Sequence, residues 1–216
     1  MPLAEVLQTL RETRRRHGVN AAARLAWFAL DRHLGRRCFH IYWLSEPRAL
    51  PEAAAAASSH VFRVLTLEEL LADLGRHWTP ADAAAMRRGD RCLTQWDGLK
   101  LVGYIWFSTA PLAFLAEAIH LNLPADAACI YQNYTAPAYR GQRFQPLRRL
   151  RLLELLVPEG KRQLLSYVAR QNLDSQHGIE RSGARQVGEV RIVRRWGQVR
   201  ISIKMTDELW LAQQRV

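Results

Sequence analysis

Residues 3–16 place Leu3, Val6, Leu7 and Leu10 on one face at helical spacing, and 20–34 repeat that period, so two N-terminal helices are expected. The run CFHIYWL, 38–44, alternates poorly but is rich in strand-forming aromatics and reads as a short strand. PEAAAAASSH, 51–60, is of low complexity and reads as a linker or an exposed short helix. It marks a boundary between an N-terminal helical extension and linker, 1–59, and a main domain, 60–216. VFRVL, from Val61, reads as a strand, and Thr66 with Glu69 three residues on forms a capping box for the helix LEELLADLGRHW. RCLTQW and KLVGYIWFST are strands around the hairpin turn Asp97-Gly98.

The pattern then turns helix-like over LAFLAEAIHL, 112–121, and returns to strand in ACIYQNY, 128–134. PLRRLRLLELL is a helix that stops near Pro158 and Gly160. QLLSYVA follows as a strand and NLDSQHGIERSG as a short capped helix. QVGEVRIVRRW and QVRISIKM form a second hairpin around Gly197-Gln198. This order predicts an α/β chain (α+β, mixed sheet) with at least one strand–helix–strand crossover.

Composition narrows the class. With 216 residues and 49% apolar content, the chain can bury one large domain or two small ones. Cys38, Cys92 and Cys129 are odd in number and form no CxxC pair, which points away from a zinc site or a disulfide framework and toward a reducing, cytoplasmic setting. No metal is expected. The N-terminal stretch lacks the apolar core of a leader, and no run is long enough to span a membrane.

Charge is unevenly spread. The net +11 divides into nine Arg against four acids in 1–50, six bases against nine acids in 51–135, and sixteen against seven in 136–216. Such ends attract polyanions, whether nucleic acid, anionic lipid or a phosphorylated small molecule. No zinc, helix-turn-helix or RNA-recognition signature accompanies them, so no specific nucleic-acid partner is expected. Residues 11–34 join a basic cluster to an apolar, Trp-containing face, which suits peripheral membrane contact, a helical cap or the arm of a homodimer.

The candidate chemistry lies in TAPAYRGQRFQ, 135–145. A strand leaves through Pro137 and Gly141 into a helix start, where unpaired N–H groups and the helix dipole suit a phosphate. This stretch resembles the GNAT superfamily of acyl-CoA-dependent N-acyltransferases. There a strand ends in V-x-P-x-Y-R-G-x-G-x-G, and Pro137, Tyr139, Arg140 and Gly141 stand at the matching places. The family's later Asn, small residue and Gly-Phe correspond to Asn172, Ser175 and Gly183-Ala184. The resemblance spans 61–204 and implies a GNAT acyltransferase fold behind the N-terminal extension.

It also implies acetyl-CoA, or another acyl-CoA, as co-substrate and a small-molecule amine, of the amino-sugar or amino-acid type, as acceptor. The amides of Gln142, Arg143, Phe144 and Gln145 would hold the pyrophosphate, with Arg140, Arg148 or Arg149 balancing its charge. Backbone N–H of Tyr134 or Thr135 would polarise the thioester carbonyl, and Asn172, with Ser175, would brace the pantetheine. Arg143 and Gln145 replace two of the family's glycines, and Ile179 stands where relatives carry a tyrosine acid. The candidates for proton transfer are therefore His177, Glu117 and Tyr134. The same departures suit a second reading, a catalytically weak acyl-CoA-binding or sensing protein of this fold.

Overall fold

The structure, a computed structural model, describes residues 36–45, 47–110, 112–116, 119–195, 198–205 and 213–215. The expected helices over 3–16 and 20–34, the membrane-facing reading of 11–34 and the candidate Glu117 lie outside the described residues. Strand β1 spans Arg36–Leu44, helix α1 Pro51–Ala56, β2 Val61–Val64, α2 Leu67–Ala72 and α3 Pro80–Arg87. They are followed by β3 Arg91–Asp97, β4 Lys100–Ser108, β5 Leu112–Ala116, β6 Ile119–Asn122 and β7 Ala127–Thr135. A 3-10 turn, Pro137–Tyr139, leads to α4 Phe144–Leu156, β8 Gln163–Ala169, α5 Leu173–Arg181, β9 Arg185–Arg195, β10 Gln198–Met205 and β11 Gln213–Arg215.

Eight strands form one mixed sheet in the order β10-β9-β1-β8-β7-β4-β3-β2, and β11-β6-β5 form a second, small one. Among the described strands, only β7 and β8 pair in parallel, across the crossover helix α4. Among the described residues, no helix is long and apolar enough to cross a membrane.

Strand β1 lies between β8 and β9, antiparallel to both, so the large sheet takes in chain from before residue 60. Its place explains its sequence. Tyr42 and Leu44 enter a core with Leu152, Leu156 and Ile179 beneath α4 and α5, whereas Ile41 and Trp43 enter a second core with Val187, Val190 and Ile192. A strand covered on both faces has no polar face to alternate with. The alanine tract is also more than a linker. Pro51 opens α1, and Ala53 and Ala57 are buried against Val102, Phe144 and Leu147 of the site-bearing elements.

The local signals hold. Thr66 and Glu69 form the capping box reciprocally, and a second box, Thr79 with Asp82, starts α3, a helix beyond the expected ones. The hairpin turn stands at Asp97-Gly98, with Asp97 opposite Lys100. LAFLAEAIHL, expected to be helix-like, is instead an antiparallel pair of strands, β5 and β6. Pairing with each other and with β11 supplies the backbone partners that a helix would otherwise provide.

On β1, His40 faces Glu189 of β9 at 3.7 Å, with Cys38 alongside; one ligand atom from each of the three lies within 4.8 Å of the others. The charges of Arg170 and Arg191 act on this group and oppose a cation there. Burial holds His40 below its ordinary 6.5, outweighing Glu189 and Glu180, which favour the proton, while Arg170 works with burial. The unfolded chain therefore takes up a proton that the fold resists. Stability should fall as pH drops below about 6.5 toward 5, before the carboxylates titrate. The urea midpoint of the wild type is expected to decline more steeply there than that of His40→Gln; parallel declines would overturn this assignment.

Candidate coenzyme-binding cleft

The cleft is made where two strands part. β7 and β8 pair from Ala127 opposite Gln163 to Ile130 opposite Ser166, and no pair forms beyond. A register shift against β4 accompanies the split: Phe107 faces Ile130 and Trp106 faces Gln132, so Tyr131 is the extra residue of a bulge. Beyond the bulge β7 follows β4 alone, with Tyr104 opposite Tyr134, and Ala136 N–H donates to Val102 O at 2.9 Å. Alternation along an antiparallel ladder turns the N–H of Tyr134 toward β4 and those of Asn133 and Thr135 toward the gap. Of the two amides expected to face a thioester, Thr135 has the required direction and Tyr134 does not.

The corner beyond β7 is unusual backbone. Gly141 has φ 85°, and Arg143, the N-cap of α4, has φ 59° and ψ 21°, making it the one described non-glycine residue at positive φ. A left-handed non-glycine residue costs about 1 kcal/mol or more. Here it is over-determined by Phe144, 2% exposed in the core, and by the Arg143–Glu52 ion pair at 2.7 Å. No side chain caps α4. The amides of Gln142, Arg143, Phe144 and Gln145 find no acceptor among the described residues. Their donors stay available for an anion at the positive end of a thirteen-residue helix.

A cavity of about 690 Å³ opens against this corner. Tyr134, Thr135, Arg140, Gly141, Arg143, Phe144, Gln145, Asn172 and Ser175, all expected from the sequence, line it. Gln142 does not. Arg140 Nε donates to Thr135 O at 3.2 Å and ties the corner to the strand. Asn172 caps α5 by accepting from Ser175 N–H at 3.1 Å, and Ser175 Oγ accepts from Gln145 Nε2 at 3.2 Å. The two motif halves, thirty residues apart, therefore touch. Asp174 and Arg181 of α5 also line the cavity; nothing in their sequence context singled them out.

The other two arginines differ from expectation. Arg148 is fully buried and serves the protein itself, donating to Gln95 Oε1 at 2.8 Å, Asn133 Oδ1 at 3.1 Å, Tyr134 O at 2.8 Å and Thr135 Oγ1. Arg149 is 2% exposed and donates to Ser166 Oγ at 2.6 Å. Neither lines the phosphate corner, because α4 lies on the sheet and both side chains turn toward its strands.

A second cavity, about 260 Å³, sits in the fork of β7 and β8, walled by residues 130–133, Arg149, Tyr167–Ala169, Asn172, Ser175 and Ile179. It shares Asn133, Asn172 and Ser175 with the first. Tyr134, 37% exposed, stacks on Tyr104 at 5.2 Å and lines the larger cavity. His177 is exposed on α5 and lines neither cavity. Tyr131 O–H donates to Asp90 at 3.1 Å, which brings a carboxylate to the bulge; it comes from a turn before β3 and carried no sequence signal. Burial, then Asp90, pushes the Tyr131 phenol well up, and burial does the same to Tyr167, so both stay protonated at neutral pH.

No protein-family model matches the chain, and no curated protein does either. Solved structures do, at low identity. A functionally unknown conserved protein from Staphylococcus epidermidis is 10% identical, with 77% of this chain and 64% of that one covered, TM-score 0.44. A GCN5-related N-acetyltransferase from Sphaerobacter thermophilus is 12% identical, with 86% and 57% covered, TM-score 0.46. A Salmonella typhimurium protein solved with its cofactor acetyl-CoA is 13% identical, with 70% and 96% covered, TM-score 0.41. The chain spans less than two thirds of the length of the first two.

Proposed function

We propose that the chain is an acyl-CoA-dependent N-acyltransferase acting on the primary amine of a small molecule. The observation that carries this reading is the coincidence of an uncapped helix start, with four unpartnered amides, and a fork between parallel strands that opens toward it. The corner suits a pyrophosphate, with Arg140, Arg143 and Arg181 around it. The free edge of β7, at Asn133 and Thr135, suits the amides of a pantetheine arm laid along it as an added strand. A thioester brings an activated carbonyl, so aligning the amine with it supplies much of the rate.

In that arrangement the Thr135 N–H receives the developing oxyanion. The attacking nitrogen forms the C–N bond as the C–S bond breaks. The proton lost from the amine passes to solvent, and the departing thiolate takes one from the Tyr134 phenol. Acetyl-CoA is the donor to test first. One further reading, an acyl-CoA-binding or sensing protein without turnover, draws on Ile179, which is buried in the core, and on the exposed place of His177.

Calorimetry with acetyl-CoA tests the coenzyme site. The wild type is expected to bind with micromolar affinity, and the double variant Arg140→Ala, Gly141→Pro at least about tenfold more weakly. Proline cannot adopt the positive φ of Gly141, and the Arg140 tie to Thr135 is lost with it. A wild type that binds neither acetyl-CoA nor CoA would overturn the reading. Binding without thiol release against a panel of amines would select the sensing alternative.

A further inference from the structure

The fork cavity contains a cation, Arg149, that no acid among the described residues neutralises. Arg149 walls it, and its neighbours there are Ile130, Gln132, Asn133, the tyrosines 131 and 167, and small or apolar residues of β8 and α5; none is acidic. Among the described residues, its one hydrogen bond goes to the neutral Ser166 Oγ, and its Nε has no partner. Asn133, which lines the same cavity, keeps a buried Nδ2 donor that is likewise unsatisfied. A buried guanidinium without a counter-charge is costly, and an orphaned buried donor adds to that cost. Two such groups on one cavity are the signature of a site completed by an acceptor from outside. Burial pushes Arg149 down to about 9, so it remains cationic at neutral pH.

The cavity is also in the right place to read the reacting end of a substrate. It begins where the β7–β8 pairing stops, beside the bulge at Tyr131, and shares three residues with the larger cavity against the phosphate corner. Its 260 Å³ is several times the roughly 30 Å³ share of one water.

Resting on the coenzyme reading above, we infer that Arg149 and Asn133 bind a carboxylate carried by the substrates at the reacting end, placed on the acyl donor as the free terminus of a dicarboxylic acyl group. A carboxylate on the acceptor amine would present the same chemistry, and the two sources separate by experiment.

In the donor arm, wild-type protein is titrated calorimetrically with succinyl-CoA and with butyryl-CoA, which matches its chain length without the charge. Succinyl-CoA is expected to bind at least about tenfold more tightly. In Arg149→Met, checked for native ellipticity, that ratio should fall toward one. In the acceptor arm, acetyl-CoA-loaded protein is titrated with glycine and with glycinamide. A preference for glycine that Arg149→Met removes, with no preference among donors, would move the carboxylate to the acceptor. Equal affinities in both arms of the wild type would overturn the inference while the coenzyme site stood. Failure of every acyl-CoA to bind would remove the coenzyme reading and this inference with it.

Discussion

Arg148→Ala is expected to lower stability by about 2–4 kcal/mol and to abolish acyl-CoA binding under conditions where the variant is still folded. Two effects compete. The guanidinium is buried with no carboxylate beside it, and burial pushes it down to about 9, so removing its charge returns some desolvation energy. Against this, Gln95, Asn133, Tyr134 and Thr135 all lose their donor at once. Each buried acceptor left unpaired costs about 1–3 kcal/mol, and truncation adds a cavity, so the loss outweighs the return. Three of those acceptors form the last residues of β7, where the strand runs beside the gap. Urea unfolding, with Arg148→Met to fill the volume without donors, separates the terms. If both variants stayed within about 0.5 kcal/mol of wild type, the clamp would have no energetic content.

Gly103→Ala is expected to cost about 3 kcal/mol, from the opposite side of the same clamp. A methyl group there would lie 2.3 Å from the carbonyl oxygen of Tyr134 and 2.6 Å from Arg148 Nη1. The first neighbour is backbone held in a sheet and the second is a buried group with four bonds, so neither can retreat cheaply. Gly178 provides the control. Its added methyl would meet Gln145 Oε1 at 2.3 Å, the far end of a flexible side chain. Gly178→Ala should therefore cost less than about 1 kcal/mol, although it disturbs the Gln145–Ser175 contact. Thermal midpoints of the two variants side by side check the pair. Equal losses would mean that backbone approach is not what requires glycine at 103.

What could be read from the sequence follows the range of the forces involved. The Thr66–Glu69 box, the Asp97-Gly98 turn and the Asn172–Ser175 cap each depend on residues a few positions apart, and all stand as expected. The corner 135–145 was visible for the same reason, since Pro137, Gly141 and the helix start are contiguous. Thr79-Pro80 with Asp82 was an equally local helix start, and it passed unread because the apolar period around it is weak.

Placement was less visible. The apolar period of LAFLAEAIHL suits a helix or a buried strand, and its pairing, within itself and with β11 nearly a hundred residues later, decides between them. Arg148 and Arg149 looked like one solvated stripe of a helix. That helix lies on the sheet with both side chains turned to β3, β7 and β8, a placement set by strands that the stripe itself does not reveal.

Strand β1 sets the order in which the molecule can be completed. It leaves a ribosome well before its partners β8 and β9, which begin at Gln163 and Arg185. Until they arrive, the apolar edge CFHIYWL has nothing to pair with, and the chain must keep it from pairing with another copy. Closing the sheet joins residues more than a hundred positions apart, a step slow for its loop entropy and one that waits on β8 and β9. The fork of β7 and β8 takes its far wall from that same late event, since β8 is held on its other side by β1. A nascent chain stalled before residue 163 has the phosphate corner but no cleft.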